Sequence, residues 1–217
     1  MDFTLVAPYL GFLAQAAWIT ILISVLSLAL GLILGLVAAV MKLSGVKPLV
    51  WLVDLYVWVF RGTPVLVQLF LIYFGLPQLG IELGAFLSAV LGLGINAGAY
   101  IAEILRGGLQ AVPKGQLEAA SSLGMSTPKV LWRIVLPQAF RISVPALGNQ
   151  AISMIKDSSL ASLVTVSELM MVAQRFAASN FAFMEFYLTV AAIYLLLTTV
   201  MSMFLSRIEK RMAVSDR

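Results

Sequence analysis

From Ala16 to Met41 the chain runs without a single charged residue. As an α-helix this run extends about 39 Å, more than the roughly 30 Å hydrocarbon core of a bilayer. In lipid every backbone N–H and C=O needs a partner inside the protein, so only helices and closed barrels can cross. The run has none of the strict alternation of a barrel strand. It is therefore a membrane-spanning helix, and the rest of the chain must fold against it. Gly31 and Gly35 lie one turn apart and form a small-xxx-small step, which predicts close approach of a neighbouring helix within the same fold.

Four further apolar stretches follow, and together they predict an all-α membrane protein with five transmembrane helices in a single domain, 1–217. The spans are placed at about 16–41, 63–79, 85–105, 142–163 and 187–205. A single helix over 49–78 would measure about 45 Å, too long for one crossing. The Arg61-Gly62-Thr63-Pro64 step breaks it, because Pro64 lacks an N–H donor and Gly62 loosens the backbone. Val50–Arg61 is then an interfacial segment with Asp54 and Arg61 as its anchor. Met1–Leu13 reads as a fraying terminus or an interfacial helix, and Ser167–Phe186 as an outer loop. Of the 14 Lys and Arg residues, all but Lys156 and Arg175 fall on one side of this arrangement, Arg217 of the basic tail among them. The positive-inside rule then sets the N-terminus out and the C-terminus in.

Composition narrows the function classes. Hydrophobic residues make up 61% of the 217 and charged residues 11%, against about 25% charged in soluble domains. The chain has no Cys and no His, so thiol chemistry and imidazole metal sites are excluded and no metal site is expected. A net charge of +4 does not mark a nucleic-acid binder, since the cations flank apolar spans. Met1–Tyr9 lacks the basic start of a signal peptide, so the first span is expected to stay. No Walker-type phosphate loop is present, and a serine nucleophile would have no His partner. No catalytic residue is expected; the chain is not itself an ATPase.

The polar residues inside the spans are the candidates for function. Lys156 and Asp157 sit in the fourth span, followed by Ser158 and Ser159. A charge at the bilayer centre costs at least about 2.5 kcal/mol, and neighbours on a helix point about 100° apart, so each charge needs another partner or water. They form a structural ion pair within the bundle, or they line a path and meet the carboxylate and ammonium of a zwitterion. Asn96, Tyr100 and Glu103 share one face of the third span at i, i+4 and i+7, and Gln68 in the second span can join them. These residues supply interhelical hydrogen bonds or line a pore. Arg106, three residues from Glu103, offers it a local ion pair.

The stretch from Gln116 to Gln138 interrupts the apolar chain with small and polar residues. Glu118-Ala119-Ala120 opens a short helix over about 116–125, Gly124 closes it, and Thr127-Pro128 starts the next as N-cap and first position. This stretch resembles the EAA loop of ATP-binding-cassette importer permeases, matched at Glu118-Ala119-Ala120, Gly124 and Ile134-Val135-Leu136-Pro137. Arg61-Gly62-Thr63-Pro64, Asn96 to Glu103, Pro113-Lys114-Gly115-Gln116 and Lys156-Asp157-Ser158-Ser159-Leu160 extend the resemblance over about Ala14 to Arg211. The set is similar to the polar amino acid subfamily.

The resemblance implies the type I ABC importer fold with a cytoplasmic coupling helix. Glu118, Ala119, Ala120, Leu123, Gly124 and Met125 would dock into a groove on an ATPase subunit. It implies no cofactor held by this chain, with ATP and Mg used by the partner ATPase. The implied partners are ATP-binding cassette ATPase subunits, a second permease chain (identical or paralogous) and an extracytoplasmic solute-binding protein that delivers an amino acid. The implied location is the bacterial cytoplasmic (inner) membrane. Phe74 to Glu82 is similar to cystine-type permeases, and a basic amino acid fits nearly as well. An ion-coupled secondary amino acid transporter, with Glu103 or Asp157 as proton carrier, and a membrane scaffold without a path are the competing readings.

Overall fold

A computed structural model describes residues 2–213, so Arg217 lies outside the described residues. It is helical throughout, with no strand among the described residues. The long elements are α1 (Leu10–Leu43), α2 (Lys47–Gly62), α3 (Val65–Phe70), α4 (Ala85–Gln110), α5 (Lys114–Ser122), α6 (Thr127–Val130), α7 (Leu136–Asp157), α8 (Leu169–Asn180) and α9 (Phe183–Ala213). Wider π turns at Leu71–Gly75 and Leu131–Val135 extend α3 and join α6 to α7. Four helical segments are long and apolar enough to cross a bilayer, and α2 with the α3 segment to Leu79 makes a fifth, bent by 104° at the Arg61–Pro64 step.

The central element is α4. Its buried residues, from Ser88 to Gly108, face several neighbours, because α1, α2, α3 and α7 all pack on it. On α1 the buried stripe Leu13, Ala16, Thr20, Ile23, Ser27, Gly31, Gly35 and Ala38 follows helical spacing. A Cβ on Gly31 would lie 2.9 Å from Ala97 Cβ, and one on Gly35 would lie 2.5 Å from Ile101 Cγ2. The two glycines thus let α1 and α4 approach within side-chain contact. Gly35→Ala is expected to force this seam apart and cost about 1–3 kcal/mol. The check is the thermal midpoint of the purified protein in detergent; an unchanged midpoint would refute the tight seam.

The faces left uncovered are apolar, including Leu32, Ile33, Leu36 and Val40 of α1 and Leu195, Leu196, Val200 and Phe204 of α9. In lipid such faces cost nothing.

Three local expectations are corrected. The segment before α1 is neither a frayed end nor a free interfacial helix: two 3-10 turns, Phe3–Leu5 and Ala7–Tyr9, fold it back so that Val6 is buried and the Tyr9 ring lies 4.2 Å from that of Phe176. Ser167–Phe186 is not a loop but carries α8. Thr127 is not the N-cap; Ser126 is, accepting the Val130 amide at 3.0 Å, and Thr127 is the first helical residue.

The start of α8 holds the one fully buried carboxylate among the described residues, Glu168. Its Oε1 accepts from the Met171 amide at 2.9 Å, and its Oε2 from the Met170 amide at 3.0 Å, Tyr194 Oη at 3.0 Å and Thr20 Oγ1 at 3.4 Å. It therefore caps α8 and ties it to both α1 and α9. Burial pushes its carboxyl above the ordinary carboxylate range, and these four hydrogen bonds pull against that shift.

Candidate functional site

Two regions bring the singled-out residues together. The first is the break between α2 and α3. Thr63 and Pro64 are extended (φ −121°, ψ 148° and φ −62°, ψ 133°), so the helix cannot continue and the last carbonyls of α2 lose their intrahelical donors. Asn96 and Gln68 fill that deficit. The Phe60 carbonyl accepts Asn96 Nδ2 at 2.9 Å and Gln68 Nε2 at 3.0 Å, and Gln68 Nε2 also reaches the Thr63 carbonyl at 3.1 Å. Gln68 Oε1 accepts Asn96 Nδ2 at 3.1 Å. Gln68 is buried, and its side chain ties Phe60, Thr63 and Asn96 together across the break.

Beside the break lies a cavity of about 570 Å³. Its walls are Arg61 to Val65 from the break, Asn96 and Tyr100 from α4, and Gln150, Ser153, Lys156 and Asp157 from α7. Gln150, Ser153 and Asp157 recur at i, i+3 and i+7 and present one face. Of the eight path candidates, Asn96, Tyr100, Lys156 and Asp157 line this cavity. Ser158 is buried with its hydroxyl donating to the Ile155 carbonyl at 2.7 Å, and the Ser159 hydroxyl donates to the Lys156 carbonyl at 2.7 Å; both finish α7 rather than face the cavity.

Glu103 sits one turn along α4 from Tyr100, in a cluster of ions. Arg106 grips it with two bonds, Nε at 2.9 Å and Nη2 at 2.7 Å, as the i, i+3 spacing predicts. Lys42 Nζ and Arg61 Nη1 each stand 3.5 Å from it. Asp54 does not pair with Arg61: it binds Lys42 at 2.7 Å. The guanidinium of Arg61 lies over the Tyr100 ring, 5.2 Å from its centre. Asp54 and Arg61, read as the anchor of one interfacial segment, thus enter a network joining α1, α2 and α4 at one end of the cavity. Their ionic partners come from α1 and α4. Gln150 and Ser153 carried a readable signal in their common face with Asp157. Glu168 carried almost none, being a lone acid between two spans.

The second region is the loop. The helix α5 ends where Gly124 turns left-handed at φ +76°, with the Met125 amide on the Ala120 carbonyl at 3.2 Å and the Gly124 amide on the Ser121 carbonyl at 3.0 Å. This paired cap is the stop read from Gly124. Glu118, Ala119, Leu123 and Gly124 are exposed, Leu123 by 83%. Ala120 and Met125 are turned the other way. They pack with Val112, Val130, Val135 and Ala139 in a small core under the loop, so they support the exposed face of α5 rather than form it.

The sequence matches the family described as binding-protein-dependent transport system inner membrane component over residues 31–214. The chain belongs to this family. Among its relatives, the chain is 43% identical to the L-cystine transport system permease protein TcyB of Bacillus subtilis (strain 168), over 92% of this chain and 86% of that one. It is 36% identical to the arginine transport system permease protein ArtQ of the same organism, over 100% and 99%. Its fold superposes on the crystal structure of an amino acid ABC transporter with histidines with a TM-score of 0.94 at 39% identity, over 97% of this chain and 99% of that one. The resemblance to importer permeases read from the sequence, and the fold it implied, therefore hold for this chain.

Proposed function

We infer that the chain is the membrane-spanning permease subunit of an ATP-driven importer for polar amino acids, with L-cystine as the leading cargo. The observation that carries this reading is family membership across the spans and the loop together, with relatives that are named amino acid permeases. In this reading the permease binds no cofactor. ATP and Mg are used by ATPase subunits that grip α5 on the cytoplasmic side of a bacterial inner membrane. The start of α1 then lies outside and the basic end of α9 inside, in keeping with the placement of Lys and Arg. A second permease chain, identical or paralogous, completes the path, and a solute-binding protein delivers the amino acid to the outer face.

The cavity beside the helix break gives the path its polar wall, with Asn96, Tyr100, Lys156 and Asp157 on it. Closure of the ATPase pair around ATP biases the spans between two states, and the loaded receptor biases them from the other side. The test is uptake into proteoliposomes holding the chain with its ATPase subunits. L-cystine accumulation that requires both internal ATP and the external binding protein is expected. Uptake that survives without ATP and collapses with an uncoupler would overturn the reading in favour of ion coupling.

A further inference from the structure

We propose that a groove between α1, α7 and α9 holds one acyl chain of an anionic phospholipid, whose phosphate rests on Arg207 and Arg211 at the groove's end. The leaflet concerned is the one at the end of α9, which is the inner leaflet in the orientation read above. The site is separate from the cavity at the helix break and shares no residue with it.

The groove has a volume of about 470 Å³, within the usual range for small-molecule sites. Ile21, Val25 and Leu28 form its α1 wall, and Leu196, Val200 and Phe204 its α9 wall. Ala151 and Ile155 of α7 are both buried and make its floor. One turn along α7 from Ala151 the seam with α9 closes: a Cβ on Gly148 would lie 3.2 Å from Leu205 Cδ1. Ser24 carries the one hydroxyl of the lining, and it already donates to the Thr20 carbonyl at 2.7 Å. A polar solute would lose its hydration here and gain no hydrogen bond to replace it. A hydrocarbon chain loses nothing.

Length and charge identify the occupant. Leu196 stands near the middle of the span read at 187–205, and Phe204 near its inner edge. The eight residues between them cover about 12 Å, close to half of the roughly 30 Å hydrocarbon core. The groove is therefore as deep as one leaflet. Beyond Phe204 the same stripe of α9 continues to Arg207 and Arg211, at i+3 and i+7. Both are exposed, and neither forms an ion pair or hydrogen bond among the described residues. Glu209 does not neutralise this face, because residues two apart on a helix lie about 160° apart round its axis. Two unpaired guanidiniums thus stand where hydrocarbon gives way to head groups, in line with the groove. Their planar forks match phosphate oxygens. Basic groups beside membrane helices on the cytoplasmic side are suited to anionic head groups.

The experiment titrates the delipidated permease–ATPase complex in detergent with dioleoylphosphatidylglycerol or dioleoylphosphatidylcholine, and counts bound lipids by native mass spectrometry. The readout does not depend on transport, so its failure leaves the permease reading untouched. The unaltered complex is expected to bind the anionic lipid at least about tenfold more tightly. Arg207→Gln with Arg211→Gln is expected to reduce that preference to within about twofold, because the head group then meets no charge. Val25→Trp with Val200→Trp crowds the groove from both walls. It is expected to lower the affinity for both lipids at least about fivefold while leaving their ratio unchanged. If that pair fails to assemble, Ala151→Leu fills the groove from its floor and carries the same expectation. A benzophenone amino acid in place of Val200 is expected to cross-link phospholipid on irradiation in membranes. Equal binding of the two lipids by the unaltered complex overturns the proposal. So does a preference that survives loss of both arginines, or an affinity that filling the groove does not lower. A cross-link whose main product is a second permease chain also overturns it, and would assign the groove to the partner copy.

Discussion

Glu168→Leu is expected to lower the unfolding free energy by about 3 kcal/mol or more, because it leaves several buried donors without an acceptor at about 1–3 kcal/mol each. The Met170 and Met171 amides lose their cap, and the half-buried Tyr194 hydroxyl loses its partner. Leucine is close enough in volume that the loss is one of hydrogen bonding rather than of packing. Glu168→Gln keeps one acceptor oxygen and should cost about half as much. Thermal unfolding in detergent measures the two variants. Hydrogen exchange at Met170 and Met171 then localises the change, since α8 should fray from its first turn while α4 stays protected. Equal midpoints for Glu168→Leu and the unaltered protein would mean that water or a rearranged backbone satisfies these donors.

Ala119→Trp together with Leu123→Ser is expected to reduce capture of the ATPase subunits, and transport with it, at least about tenfold. The first change puts a bulky ring on a face that has none, and the second removes the most exposed apolar side chain of the loop. Both positions are on the surface, where substitutions shift stability by only about 0.5 kcal/mol, so the protein should still fold and reach the membrane. Ala120→Trp makes the contrasting case. It would disrupt the core under the loop and lower stability first, because Ala120 packs against Val112, Val130 and Val135. Unimpaired ATPase capture by the Ala119/Leu123 double variant would place the docking surface elsewhere.

Features that depend on neighbours in the chain were legible in the sequence. The uncharged run of α1, the glycine step at Gly31 and Gly35, the break at Pro64 and the left-handed stop at Gly124 all act through local geometry, and each lies where its chemistry requires. Half of the path candidates line the cavity, Asn96 and Tyr100 because helical periodicity puts them on one face of α4. What periodicity could not give is the partner across an interface. Glu168 draws its hydrogen bonds from Thr20 and Tyr194, 148 and 26 positions away. Arg61 meets Glu103 on another helix. Small residues misled in a different way: Ala119 and Ala120 look alike in sequence, yet one faces outward and the other supports the loop from beneath. The helix α8, only 12 residues long and containing Gln174, Arg175 and Ser179, carries too weak an apolar stripe to separate it from a loop.

The continuity of α4 has a mechanical consequence. This helix carries Asn96 and Tyr100 at the cavity and runs without interruption to Gln110, three residues short of Lys114 at the start of α5. Val112, inside that connection, is buried in the same small core as Ala120. A rod of about 39 Å that tips by about 10° displaces its end by about 7 Å. A thrust delivered to the knuckle at Glu118–Leu123 would thus reach Tyr100 through one short connection, braced at Val112, and a continuous helix.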